Sequence, residues 1–491
     1  MSSASTAGTI AIQPRSSREA RLVTWLLVAF LVWIPLQTPV AVVAYQYWHV
    51  SITFAQGILL MKDVWAAGLF AVLLLRHYRE VRFRWFDWFA LAFGVLVIVY
   101  SVVPAILGSH LSALGVASAA RELLVPVELY GLGRLAGYAG ASPLGLIRAF
   151  LVVAAGAAVF SVATWVFLPQ DFWMTTYNLL GLVREVQGIQ SATSLWAASI
   201  NGLYGSAGYS LRAVGPFTHP VGTGVYFVVP FLLVLCAAWT SDRRRKAALA
   251  VTAVGFVLFA LAVITPISRG TWAGFVVAAV ACGVVLHKYR LSAVTVVAFA
   301  AFVFFVPPFS QSIKGAIEGT DGSATMHADI VNNDIHVITD NPLGNGVGQA
   351  DPVGTIQTGT AQTGTAQSEA AGTDSAGVGE NMYLSTYASV GPLGLLALVI
   401  WMSALLVELI GRFRRSLPLW IPVGLGAALL AEAAAAMTAS TLMRFTTAAS
   451  IWLLVGLVVA QPASGLRRPD FGALRHPRRW LSARGAKAEA A

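Results

Sequence analysis

About a dozen apolar stretches, each long enough to cross a ~30 Å hydrocarbon core, dominate this chain of 491 residues. They fall near 22–46, 54–75, 85–106, 122–138, 146–168, 217–240, 247–264, 270–288, 291–308, 381–411, 418–437 and 443–461. Such a chain is expected to fold as an all-α, polytopic transmembrane helical bundle, because only helices satisfy the backbone inside lipid in segments of this kind. Composition agrees: 57% of residues are hydrophobic and 11% charged, with a mean hydropathy of +0.72. No separable soluble domain is expected.

The connecting segments predict the topology. Basic clusters at Arg15/Arg18/Arg21, Arg76–Arg84, Arg243–Lys246, Lys288/Arg290, Arg412/Arg414/Arg415 and Arg467–Lys487 all fall on the side carrying both termini. Lys and Arg accumulate in cytoplasmic loops, so both termini are expected in the cytoplasm of a multi-pass plasma-membrane protein. By this reading 25 of the 32 basic residues are cytoplasmic. The formal charge of +10 is then a topological signal with lipid headgroup contact, and nucleic-acid binding is not expected. Residues 1–21 read as a cytoplasmic tail before an uncleaved first span, 22–308 as nine spans and 309–380 as an extracytoplasmic loop. Residues 381–461 then supply three more spans and 462–491 a basic cytoplasmic tail. Cys236 and Cys282 read as core residues within spans.

Within the large loop, 326–341 has helical spacing that Pro342 and Gly344 end. The segment TGTAQ occurs twice in tandem, at 358–362 and 363–367. This low-complexity run has too little apolar surface to fold alone.

The chemistry is expected on the side away from the basic clusters. Arg121, Arg184, Arg212, Arg269 and Arg444 fall there, beside apolar helix ends. A guanidinium in that position needs a hydrated or anionic partner, and a diphosphate fits its fork. Headgroup or helix-end contact is the alternative for each. His219 follows Arg212 closely. Glu380 opens the tenth span and is either a helix-terminal carboxylate favoured by the macrodipole or a general base, with Asn381 and Tyr383 beside it. Lys62, Asp63, Glu128 and Glu432 lie within spans, where ionisable groups are functional candidates or buried pairs. Adjacent on a helix, Lys62 and Asp63 need not pair with each other, and Glu432 could balance an arginine. Asp321, Asp329, Asp334, Asp340, His327 and His336 share a loop without metal-site spacing, so no metal is expected.

Three segments together resemble the O-antigen ligase/O-antigen polymerase family of membrane glycosyltransferases: LRAVGPFTHPVGTGVYF, SRGTWAGF, and the run from HADIVNNDIHVITDNPLGNGVG to ENMYLSTYASVGPLGLL. The resemblance spans about 205–411. It implies a helical fold of the lipid-sugar glycosyltransferase (GT-C-like) kind without cofactors. It also implies transfer of a glycan from undecaprenyl diphosphate to a glycan or lipid-glycan acceptor on the extracytoplasmic face, without metal. Carried onto this chain, Arg212 and Arg269 would hold the diphosphate. Glu380 stands where ligases usually have a histidine base, and His327 where the loop helix often has arginine. Glu-Asn at 380–381 resembles polymerases more than ligases. A protein O-oligosaccharyltransferase shares the implied fold and donor. A transporter or flippase of lipid-linked or anionic solutes is the rival from another class, but the chain shows no convincing internal repeat.

Overall fold

The structure is a computed structural model that describes residues 17–106, 113–168, 212–217, 220–240, 246–319, 322–348, 381–412, 417–439 and 441–461. Among these residues there are helices and turns and no strands. In chain order the α-helices are α1 (Ser17–Gln46), α2 (Ile52–His77), α3 (Asp87–Ile106), α4 (Ala113–Tyr138), α5 (Pro143–Phe167), α6 (Pro220–Thr240) and α7 (Lys246–Ile264). They continue as α8 (Arg269–Val285), α9 (Tyr289–Phe305), α10 (Pro307–Ile317), α11 (Gly322–Asp340), α12 (Met382–Arg412), α13 (Trp420–Ala435) and α14 (Phe445–Ala460). Every expected apolar stretch is largely covered by a helix. The helix expected at 326–341 is α11, which begins earlier; α10 was not anticipated. Helix α1 begins within the stretch assigned to the N-terminal tail.

Helix length supports part of the expected span count. Among the described residues, six helices are long and apolar enough to cross a membrane, or seven if α9 and Phe309–Ile317, bent by 82°, count together. Helices α8, α13 and α14 have 17, 16 and 16 residues, which at 1.5 Å per residue reach only ~24–26 Å. Longer helices surround them, and α13 and α14 are buried along most of their length. A helix enclosed by protein need not match the lipid thickness, because its neighbours and not the bilayer satisfy its ends. Helix α4 carries Arg121, Glu122, Glu128 and Arg134, too polar for a simple span.

Small residues allow close helix approach. Gly133 and Gly137 of α4 face α14: a Cβ on Gly133 would strike the Leu453 carbonyl, and one on Gly137 the Ala460 side chain. Gly456 of α14 faces the Tyr130 carbonyl in return. Small residues four apart allow this backbone contact. Nearby, Trp401 of α12 and Trp452 of α14 stack at 4.8 Å between ring centroids.

One end of the bundle is tied by ion pairs. Arg134 Nη2 lies 3.0 Å from Asp87 Oδ2 and donates to the Arg82 carbonyl. Tyr130 donates to Asp87, and Arg84 pairs with Glu408 of α12. Side chains of Arg134 and Asp87 are 6% and 7% exposed, so the pair is strongly coupled by its low-dielectric setting. Glu19, Arg76 and His77 join at the same end. Cys236 and Cys282 are buried, with Sγ atoms 3.2 Å apart.

Helix α12 is broken at Gly391, whose φ/ψ of 71°/−179° is non-helical, so the tenth expected stretch is not one continuous helix. Pro392 follows, and the break receives the PLGNGVG segment. Asn345 N–H donates to the Ala388 carbonyl at 2.7 Å and Val347 N–H to the Tyr100 carbonyl at 3.1 Å. The hydroxyls of Tyr100 and Tyr387 donate to the carbonyls of Leu343 and Pro342. Gly344 has φ 92°, and a Cβ there would stand 2.7 Å from the Gly391 nitrogen. Gly344→Ala combines a strained conformation, costing roughly 1–3 kcal/mol, with a backbone collision. It should open this seam, read as faster hydrogen exchange at Asn345 and Val347; unchanged exchange would refute the docking role.

Candidate active site

Arg212 and Arg269 converge on the turn between α7 and α8. Ala213 N–H donates to the Thr265 carbonyl at 3.0 Å, and Arg212 Nε donates to the Pro266 carbonyl at 2.8 Å. Three residues further on, Arg269 opens α8 and its Nη1 donates to the Ser312 carbonyl of α10 at 3.0 Å. Both arginines are half-buried. A carbonyl partner fixes a guanidinium without cancelling its charge.

The local chain explains this placement. Pro266 cannot continue α7, and Ile267 takes φ 50°. That conformation costs an L-residue roughly 1–2 kcal/mol, so the turn is held by its surroundings. Thr223 of α6 donates to the Val214 carbonyl, securing the Arg212 segment, and Trp272 Nε1 donates to the Val263 carbonyl at 3.3 Å. Gly224 of α6 faces Ser268 and Thr271 closely.

The short central helices bring further groups to this turn. A Cβ on Gly270 would strike Thr438, so the connection after α13 packs directly against the start of α8. Met382 N–H donates to the Ala436 carbonyl at 2.9 Å and Tyr383 hydroxyl to the Ala433 carbonyl at 2.7 Å. Asn381 Oδ1 accepts from the Tyr383 and Leu384 N–H groups at 3.0 and 3.2 Å, an N-cap for α12. The N-termini of α8 and α12 therefore meet at the α13 C-terminus. Arg444, exposed, begins α14 a few residues beyond.

The expected site residues divide accordingly. Arg212, Arg269, Asn381 and Tyr383 are gathered around connected turns, and Arg444 lies on the same connection. Tyr383 spends its hydroxyl on a backbone carbonyl, and Asn381 its amide oxygen on a helix cap. Arg121 is elsewhere in its contacts: its Nη1 is 3.5 Å from Asp63 Oδ2 and its Nη2 4.0 Å from Glu122 Oε1. The expectation that Lys62 and Asp63 need not pair is corrected, since Lys62 Nζ lies 3.1 Å from Asp63 Oδ2. Lys62 reaches back along its helix, donating also to the Leu59 carbonyl. Glu432 is 1% exposed and neither carboxylate oxygen has a hydrogen-bond partner among the described residues, so it balances no arginine there. His336 is exposed on α11, and Asp334 on that helix is buried. Glu380, His219 and Arg184, like the tandem TGTAQ run, lie outside the described residues, as does the side chain of His327. Among the described residues no group of three His, Cys, Asp or Glu is arranged to hold a metal.

Sequence reasoning missed the Ser312 carbonyl anchor and the 433–438 turn. Neither carries a motif, because both act through backbone atoms.

Residues 254–399 match the family described as O-antigen ligase. The match supports the O-antigen ligase/polymerase family. The matched segment runs from within α7 to within α12 and contains Arg269, the PLGNGVG seam, Glu380, Asn381 and Tyr383. Arg212, Arg121 and Arg444 lie outside it. With the apolar helices, the match suggests a membrane enzyme that handles glycans. No curated protein matches the chain.

Proposed function

We propose that this protein transfers or polymerises a glycan from a polyprenyl-diphosphate carrier onto an acceptor hydroxyl, with inversion and without a metal, at the extracytoplasmic face. The observation that carries this reading is the convergence of Arg212 and Arg269 on the 265–269 turn, each fixed on a backbone carbonyl. Helix N-termini strengthen it. Each contributes about half a positive charge, and α8 and α12 both begin beside this turn, with α14 starting on the next.

The chemistry follows from those charges. The bond between the anomeric carbon and the diphosphate oxygen breaks, and its electron pair stays on the departing diphosphate. Arg212 and Arg269 oppose the growing negative charge, so they stabilise the transition state more than the bound donor. The acceptor oxygen forms the new bond from the opposite face of the sugar. Its proton passes to Glu380, the residue preceding the Asn381 cap. The ion-paired, arginine-rich opposite end of the bundle supports a cytoplasmic placement of that end.

Glu380→Gln keeps the size of the side chain and removes its basicity, so transfer should fall by roughly 10²–10⁴-fold. The check is purified enzyme with candidate polyprenyl-diphosphate oligosaccharides in EDTA, with products weighed by mass spectrometry and their anomeric configuration read by NMR. Wild-type activity in the variant would remove Glu380 from the mechanism, loss of wild-type activity in EDTA would remove the metal-free reading, and retained configuration would remove direct displacement.

A further inference from the structure

Lys62, Asp63, Arg121 and Glu122 form a mixed cluster that the diphosphate chemistry does not use. Asp63 Oδ2 holds Lys62 Nζ at 3.1 Å and Arg121 Nη1 at 3.5 Å, and Glu122 stands 4.0 Å from Arg121. Side-chain exposure is 38% at Arg121, 24% at Glu122, 17% at Asp63 and 11% at Lys62. Arg121 is the most open member of the cluster.

Its level within the bundle is set by one contact. Lys62 and Arg121 lie about 12–15 Å along α2 and α4 from their starts, yet Lys62 Nζ is 5.5 Å from the ring centre of Phe445, the first residue of α14. The connection carrying Arg444 is thus sunk below the starts of α2 and α4, whose outer turns rise above it. On its other flank, the same connection packs Thr438 against Gly270, beside Arg269.

The charges decide what such a cluster receives. Two cations face the carboxyl groups of Asp63 and Glu122, and Glu128 of α4 also stands within electrostatic range of Asp63 and Arg121. An incoming phosphate would meet Asp63 and Glu122 as like charges, whereas a neutral polyhydroxyl ligand would not. A hydroxyl donates to a carboxylate and accepts from a guanidinium at the same time. We propose that Lys62, Asp63, Arg121 and Glu122 form a subsite for the hydroxyls of a neutral sugar, beside the Arg212/Arg269 site; this rests on the glycan-transfer reading.

The test uses the full chain in lipid nanodiscs with three probes: undecaprenyl diphosphate, a panel of neutral hexose tetrasaccharides, and a hexuronic-acid tetramer. Asp63→Asn should weaken the best neutral tetrasaccharide at least tenfold and leave undecaprenyl diphosphate binding unchanged. Arg121→Lys keeps the charge, loses the planar fork and should do the same. Arg269→Ala should show the reverse pattern. The hexuronic-acid tetramer should bind wild type at least tenfold more weakly than the neutral one. The subsite is overturned if no neutral tetrasaccharide binds wild type, if both cluster variants bind it normally, if they lose undecaprenyl diphosphate with it, or if the acidic tetramer binds equally well. Wild type that binds the neutral sugar but not undecaprenyl diphosphate would support the subsite and overturn the donor assignment.

Discussion

Arg269→Ala is expected to lower glycan transfer by roughly 10²–10³-fold, the usual loss when one fixed donor to a developing anion is removed. The guanidinium is held by the Ser312 carbonyl at 3.0 Å, so it is oriented before substrate arrives and need not reorganise during bond breaking. Because charge grows on the diphosphate as the glycosidic bond lengthens, kcat should fall more than the donor KM rises. Arg269→Lys keeps a point charge but not the fork and should restore part of the loss. Arg212→Ala should act in the same direction, and the double variant should fall short of additivity because both side chains serve one group. The check is a mass-resolved transfer assay on purified, thermally intact variants. Activity within threefold of wild type in the Arg269→Ala protein would sink the diphosphate assignment.

The second large effect concerns stability. Gly456→Val places a branched side chain against the Tyr130 carbonyl at a tight seam of the bundle. The neighbours there are backbone atoms of α4, including the Arg134 nitrogen, and cannot swing aside as a side chain would. The two helices must separate, at a cost of about 1–3 kcal/mol for overpacking of this kind. Gly133→Val attacks the same seam from the other side, so the pair should again be less than additive. Separation would also disturb Arg134 with its Asp87 partner and loosen the stacking of Trp401 on Trp452. The measurement is the thermal unfolding midpoint in detergent; a midpoint equal to wild type in both variants would refute the seam.

Much of the bundle was legible in the sequence because lipid leaves few options. Apolar stretches had to become helices, and Pro342 with Gly344 marked the end of the loop helix. The pairing of Lys62 with Asp63 was not legible, since neighbours on a helix diverge by about 100° and meet only when one side chain doubles back, as Lys62 does toward Leu59. The break at Gly391 left a Gly-Pro signal, but its purpose appeared only once PLGNGVG was seen docked there. The shortness of α8, α13 and α14 was not legible, because hydropathy measures how apolar a segment is and not how long its helix will be.

From the residues alone came the helical membrane class, the segregation of basic loops and a set of five arginines away from them; the family resemblance singled out Arg212 and Arg269. Tertiary structure decided which of the scattered arginines lie close together. Arg212 and Arg269 share a turn because short, protein-enclosed helices draw α8, α12 and α13 to one level. Arg121, equally conspicuous in the chain, pairs with Asp63 instead. Linear order carries hydrophobicity and local stops, whereas the partner of a charge depends on which helices pack side by side.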